Sequence, residues 1–202
     1  DNSTIVALTT SNHNKKDGVA PWMIKGYLID DLTITNSEIT EFPIFVGGKS
    51  DANIRVGLGV DASNLYIKVV AIDNTRVEAE QGSQKGDGVY LYIDAANLSL
   101  LDVDEGIYKL WVSSTGDAIR WDGKEGEWIK SNPSGMEIVA TSQQEGYMLD
   151  ITIPTQSLPK FNKSGMRFGV GLTDYVNEKE GTTELLSLCK DLRSSSWLGV
   201  SF

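Results

Sequence analysis

One cysteine and one histidine in 202 residues remove several kinds of chemistry at once. Cys189 alone cannot close an intramolecular disulfide or build a cysteine-based zinc site. It has no histidine placed to activate it as a nucleophile, because His13 sits in a polar N-terminal stretch, and no Gly-x-Ser-x-Gly elbow occurs. A methionine with His13 would be the haem-ligand pair, but no spacing calls for it. Basic residues are also scarce: 18 against 28 acidic ones give a net charge of -10 and a pI near 4.6. That balance repels phosphate backbones, so nucleic acid is not an expected partner. No apolar run approaches the roughly 20 residues of a spanning helix, so membrane insertion is not expected. The opening Asp-Asn-Ser-Thr is not a charged-then-apolar leader, which suits a chain that has lost its signal or been cut from a longer one. No stretch of ten or more residues carries a helical period.

What remains is strand pattern. Hydrophobic residues at 40% and charged residues at 23% are ordinary for a globular chain, and no linker-like stretch divides residues 1–202, which are read as one domain. Gly86 to Asp94 is the clearest strand, with Val89, Leu91 and Ile93 on one face, Tyr90 and Tyr92 on the other, and Asp87 and Asp94 at its ends. Ile54 to Val60 and Leu65 to Ile72 alternate across the turn Asp61 to Asn64 and form a hairpin. Further strands are expected at Ile5 to Thr9, Tyr27 to Thr35, Phe42 to Val46, Ile107 to Ser113, Met136 to Thr141, Tyr147 to Pro154, Arg167 to Asp174, Leu185 to Leu188 and Trp197 to Phe202. Ala118 to Lys130 reads as a hairpin with Trp121 and Trp128 on its arms, and with Asp122-Gly123 and Glu125-Gly126 between them. Tyr175 to Thr183 reads as a charged loop, and Thr155 to Phe161 as a single helical turn. A dozen or so short strands at this spacing predict an all-β fold, an antiparallel β-sandwich or jelly roll.

Four stretches in order resemble the family 9 carbohydrate-binding modules. Asn64-Leu-Tyr-Ile-Lys-Val-Val-Ala-Ile-Asp73 resembles that family's Asn-Leu-Tyr strand ending in aspartate. Asp87-Gly-Val-Tyr-Leu-Tyr-Ile-Asp94 resembles its Asp-Ser-Val-Glu-Ile-Phe-Ile-Asp strand. Gly146-Tyr-Met-Leu-Asp-Ile-Thr-Ile-Pro154 and Gly165-Met-Arg-Phe-Gly-Val-Gly-Leu-Thr-Asp174 are similar to two later strands, and Asp17-Gly18 with Trp22 to its opening. The resemblance spans about residues 17–202. It implies a sandwich that binds a poly- or oligosaccharide without catalysis, outside the cell (secreted, periplasmic or at the cell surface), often beside an appended catalytic domain and often with a structural calcium ion. Where that family sandwiches a sugar between two tryptophans, Gln84 and Lys85 occupy the first position and Trp197 lies near the second. Tyr90 stands at its glutamate and Lys109 at its arginine.

Sugars stack their C–H faces on aromatic rings while planar polar side chains read their hydroxyls. Tyr90, Tyr92, Lys109 and Gln84 meet that requirement if their strands are neighbours, and Trp121 and Trp128, with Asp122 and Glu125 close by, offer a second surface. The plainer readings are that the tyrosines cover a sheet face beneath a loop and that the tryptophans pack on each other across the hairpin. Trp22 and Trp111 are read as core, Trp197 as sealing one end. Calcium needs converging oxygens, for which Asp73, Asp87, Asp94, Asp102 and Asp104 are the candidates, against the alternative of solvated turn acids. Carboxylates are too abundant for any pair to single out a glycosidase. The leading expectation is glycan binding, and the alternative is an interaction domain of a larger envelope protein that has lost the sugar site.

Overall fold

The computed structural model describes residues 23–25, 27–28, 39, 42–47, 52–97, 102–162, 165–177, 182–187 and 198–201. The readings made at Ile5 to Thr9, His13, Asp17-Gly18, Trp22, Cys189 and Trp197 lie outside these residues. The strands are β1 (Met23–Lys25), β2 (Tyr27–Leu28), β3 (Ile44–Gly47), β4 (Asn53–Val60), β5 (Asn64–Ile72), β6 (Gly88–Asp94) and β7 (Ile107–Ser113). They continue as β8 (Ala118–Lys124), β9 (Glu127–Ser131), β10 (Glu137–Gln143), β11 (Gly146–Pro154), β12 (Met166–Asn177), β13 (Thr182–Ser187) and β14 (Leu198–Ser201). A 3-10 turn at Thr155–Ser157 takes the place of the expected helical turn.

Two sheets form. One runs β1-β14-β12-β6-β7-β8-β9 with β13 also on β12, the other β10-β11-β5-β4-β2 with β3 also on β4. All pairs are antiparallel except β1 with β14 and β2 with β4, so the expected antiparallel sandwich carries two short parallel pairs. Period-two alternation turns the branched side chains of each sheet toward the other. Leu58, Ile67 and Leu149 from one sheet and Leu91, Val170 and Phe168 from the other join a single buried cluster. Burying each such side chain contributes roughly 1.5–3 kcal/mol.

Two departures from the sequence reading bear on the functional face and the acidic end. The segment read as a loop from Tyr175 continues β12 as far as Asn177, with a register shift between Tyr175 and Asn177, and strand resumes at Thr182. In the tryptophan hairpin the turn is Glu125-Gly126 alone, both in the left-handed region (φ 49° and 87°) as a two-residue hairpin turn requires. Gly123 stays in β8. A Cβ there would lie 2.4 Å from the Asp104 carbonyl oxygen, so only glycine lets residues 103–104 pack against the hairpin. The same segment holds the tip, since the Gly126 N–H donates to the Val103 carbonyl at 2.7 Å.

Candidate functional site

β6 lies inside its sheet, so the side chains it turns away from the core face the outer surface. There Tyr90 and Tyr92 are half-buried, with ring centroids 6.2 Å apart and planes 24° from parallel. Register carries the row sideways: Tyr92 pairs with Lys109 on β7, and Lys109 with Trp121 on β8. Trp128 enters from β9 opposite Gly123 and reaches Tyr92, at 6.5 Å between centroids and 55° between planes. These two rings are rooted three strands apart, about 14 Å at the usual spacing, so they lean toward each other above Lys109. The Lys109 ammonium lies 4.4 Å from the Trp121 ring centroid and 5.0 Å from that of Trp128, within cation–π range of both.

Gln84, from the loop that leads into β6, donates from Nε2 to the Tyr90 hydroxyl at 2.6 Å. Burial raises Tyr90 above the ordinary tyrosine range, against the lowering effect of that bond, so at neutral pH it remains an O–H donor. Lys109 is held below the ordinary lysine value by burial alone. Among the described residues it has neither an ion-pair nor a hydrogen-bond partner.

Trp111 is fully buried, as expected of a core residue, yet it faces the outer side of β7 opposite Tyr90, with its Nε1 donating to Thr173 Oγ1 at 3.4 Å. The aromatic face is therefore covered at the Trp111 end, while Trp128 is only half-buried at the other. All six sequence candidates, Gln84, Tyr90, Tyr92, Lys109, Trp121 and Trp128, come together on this one face. The two aromatic surfaces read separately in the sequence are one. Asp122, expected beside the tryptophans, is instead on the opposite side of β8, bound to Arg120 at 2.6 Å and to the Ser131 hydroxyl at 3.0 Å.

The acidic candidates divide. Asp73 follows β5, Asp87 precedes β6, and both converge with Asp174 of β12, one carboxylate oxygen from each lying within 4.8 Å of the others. All three are buried. Asp87 Oδ1 accepts the Tyr175 N–H at 2.8 Å, and its Oδ2 accepts the Val77 N–H. Asp73 Oδ1 accepts the Thr75 N–H at 2.9 Å. Burial, with the Asp73 charge adding to it, pushes Asp87 up to about 7 despite those two backbone donors. Tyr147 reaches toward the cluster from β11. Its fully buried hydroxyl has no hydrogen-bond partner among the described residues, and burial together with the charges of Asp87, Asp73 and Asp174 raises it far above its usual range, against the effect of Arg76. Three buried carboxylates and an unpartnered phenol oxygen are a hard, oxygen-only donor set, which fits calcium.

The other three acids are elsewhere. Asp94 is at the far end of β6, paired with Arg167 at 2.7 Å. Asp102 is exposed. Asp104 Oδ1 accepts the backbone N–H groups of Glu105 at 2.8 Å and Glu125 at 3.4 Å, so it braces the hairpin tip. Sequence reasoning missed Asp174. Its signal was its place at the end of the alternating run from Phe168 to Leu172, but only strand pairing puts it beside Asp87.

The fold and its faces define a two-sheet β-sandwich with an aromatic outer face and an acidic end. Among solved structures, the chain is similar to a family 9 carbohydrate-binding module from Caldicellulosiruptor kristjanssonii. The complex of that module with cellotriose matches at a TM-score of 0.63 and 11% identity, over 88% of this chain and 93% of that one. Its complex with glucose matches at 0.64 and 11%, over 88% and 95%. A protein of Bacteroides uniformis shares the fold at a TM-score of 0.53 and 10% identity, over 75% of this chain and 78% of that one. No family model matches the chain, and no curated protein matches it. The protein thus has the fold of the family 9 carbohydrate-binding modules.

Proposed function

We propose that this protein binds an oligo- or polysaccharide without catalysis, on the outer face formed by Tyr90, Tyr92, Lys109, Trp121, Trp128 and Gln84. One observation carries the reading: four half-buried aromatic rings share one outer face, two of them against the Lys109 ammonium, which has no ion-pair partner among the described residues, with a side-chain amide at their edge. Rings supply stacking surfaces for sugar C–H faces, while the Lys109 ammonium, the Tyr90 hydroxyl and the Gln84 amide supply the directional bonds that read hydroxyls. The similar module from C. kristjanssonii, solved with glucose and with cellotriose, supports the class of ligand. In this reading the chain works outside the cell, beside a catalytic domain that it keeps close to its substrate.

Calcium is proposed as the structural ion, held by Asp73, Asp87 and Asp174. It would neutralise three crowded carboxylates and join β5 of one sheet to the β6 and β12 region of the other.

Calorimetric titration of the whole chain with glucose and with cello-oligosaccharides of increasing length tests the sugar reading. Affinity is expected to rise with length and to fall at least roughly tenfold in Trp128→Ala and in Tyr92→Ala, in line with the weight that single aromatic contacts carry in binding sites. A glycan array extends the search to other sugars. Absence of binding to every glycan on it would overturn the proposal in favour of an interaction domain.

A further inference from the structure

We infer that the saccharide taken by the aromatic face carries a carboxylate, as a uronic acid does, and that Lys109 is the residue that reads it. The inference rests on the carbohydrate reading given above. Lys109 is the anomaly on that face: a half-buried ammonium held against the rings of Trp121 and Trp128, with no ion-pair partner among the described residues. Burying a cation without a counter-charge is unfavourable, and ring quadrupoles offset only part of it. Burial alone lowers its proton affinity, the direction that an anion brought against it would reverse.

Other charges on this face are few or already engaged. Lys130, exposed and paired in register with Trp121, adds a second cation to this side of the sheet. Asp94, the acid at an outward position of β6, is already bound by Arg167. Asp122 and Glu127 belong to the opposite face of the hairpin. The chain as a whole has a net charge of -10. Asp104, which packs over Gly123 at the hairpin edge of this face, has its Oδ1 taken up by the backbone N–H groups of Glu105 and Glu125. This leaves Lys109 and Lys130 as the cations beside the rings. The overall charge does not cancel this local effect, since exposed charges beyond about 8–10 Å are screened at ordinary ionic strength. A sugar stacked on Tyr92 or Trp128 with its carboxylate toward Lys109 would complete a charge-assisted hydrogen bond at a site partly withdrawn from water.

The test uses two ligands that differ only at C6: cellotetraose and the β-1,4-linked tetraglucuronate of the same length. With calcium present and at about 0.1 M ionic strength, where the distant charges are screened, the uronate is expected to bind roughly tenfold more tightly, the margin of a charge-assisted over a neutral hydrogen bond. That margin should shrink as salt is raised. Lys109→Met should bring the ratio of the two affinities close to one and remove the salt dependence, whereas Lys109→Arg should preserve both. Thermal melting of each variant shows whether it has folded. Equal affinities for the two ligands, with no salt dependence, would overturn the inference and leave carbohydrate binding standing. Failure of both ligands to bind would overturn the inference together with the reading on which it rests.

Discussion

Tyr147 shows how much one atom can report. Its ring lies in the core on β11, in register with Ala71 of β5, and its hydroxyl feels the charges of three buried carboxylates without a hydrogen-bond partner among the described residues. In chelator that hydroxyl is a burial penalty, so Tyr147→Phe should leave stability unchanged or raise it by up to about 1–3 kcal/mol. In calcium the same substitution should cost stability, because an oxygen facing the ion is lost. Denaturant melts in both conditions check the pair of signs, and a destabilisation above about 1 kcal/mol in chelator would mean that the hydroxyl is satisfied after all. Asp174→Asn addresses the same point from the carboxylate side. It should abolish the calcium-induced rise in melting temperature, because it removes a charged oxygen from the set.

At the scale of the element, the β8–β9 hairpin decides whether the aromatic face exists. Trp128 reaches Tyr92 only if the two-residue turn holds Lys124 opposite Glu127 and Gly123 opposite Trp128. Glu125 occupies a left-handed conformation that side chains with a Cβ disfavour, and asparagine tolerates it better. Glu125→Asn should therefore raise stability by up to about 1 kcal/mol with sugar affinity unchanged. Gly123→Val should do the reverse. Its side chain would strike the Asp104 carbonyl, displace the hairpin and reduce glycan binding more than it reduces the melting temperature. Calorimetry and thermal melting on these two variants separate positioning of the rings from overall stability.

For the molecule as a whole, the acidic cluster lies where the two sheets meet at one end. Asp73 belongs to the sheet of β5, and Asp87 and Asp174 to the sheet of β6 and β12. An ion there would be a clasp between layers otherwise held by apolar contact. Calcium at 100 times its dissociation constant should add about 2.7 kcal/mol, or roughly 5–10 °C in melting temperature for a chain of this size. Chelator should remove that gain. Melting curves that coincide in calcium and in chelator would rule out a stabilising ion.

Much of this was legible in the residues. Period-two alternation at Val89, Leu91 and Ile93, and again from Leu65 to Ala71, determined strands, their buried faces and hence an all-β sandwich, because burial of one face is a local property of a repeating pattern. The same alternation turned Tyr90 and Tyr92 outward, and the turn residues between Trp121 and Trp128 announced a hairpin. Other features depended on pairing between segments far apart in the chain. Only strand order joined the tyrosines of β6 to the tryptophans of β8 and β9, put Asp122 on the opposite face, and brought Asp174 to Asp87 across 87 positions of sequence. It also gave Asp94 to Arg167 and Asp104 to the hairpin tip, removing both from the ion-binding candidates. The physical reason is that a carboxylate's role depends on which charges and donors lie within a few ångströms of it, and those distances are set by sheet register rather than by sequence neighbours.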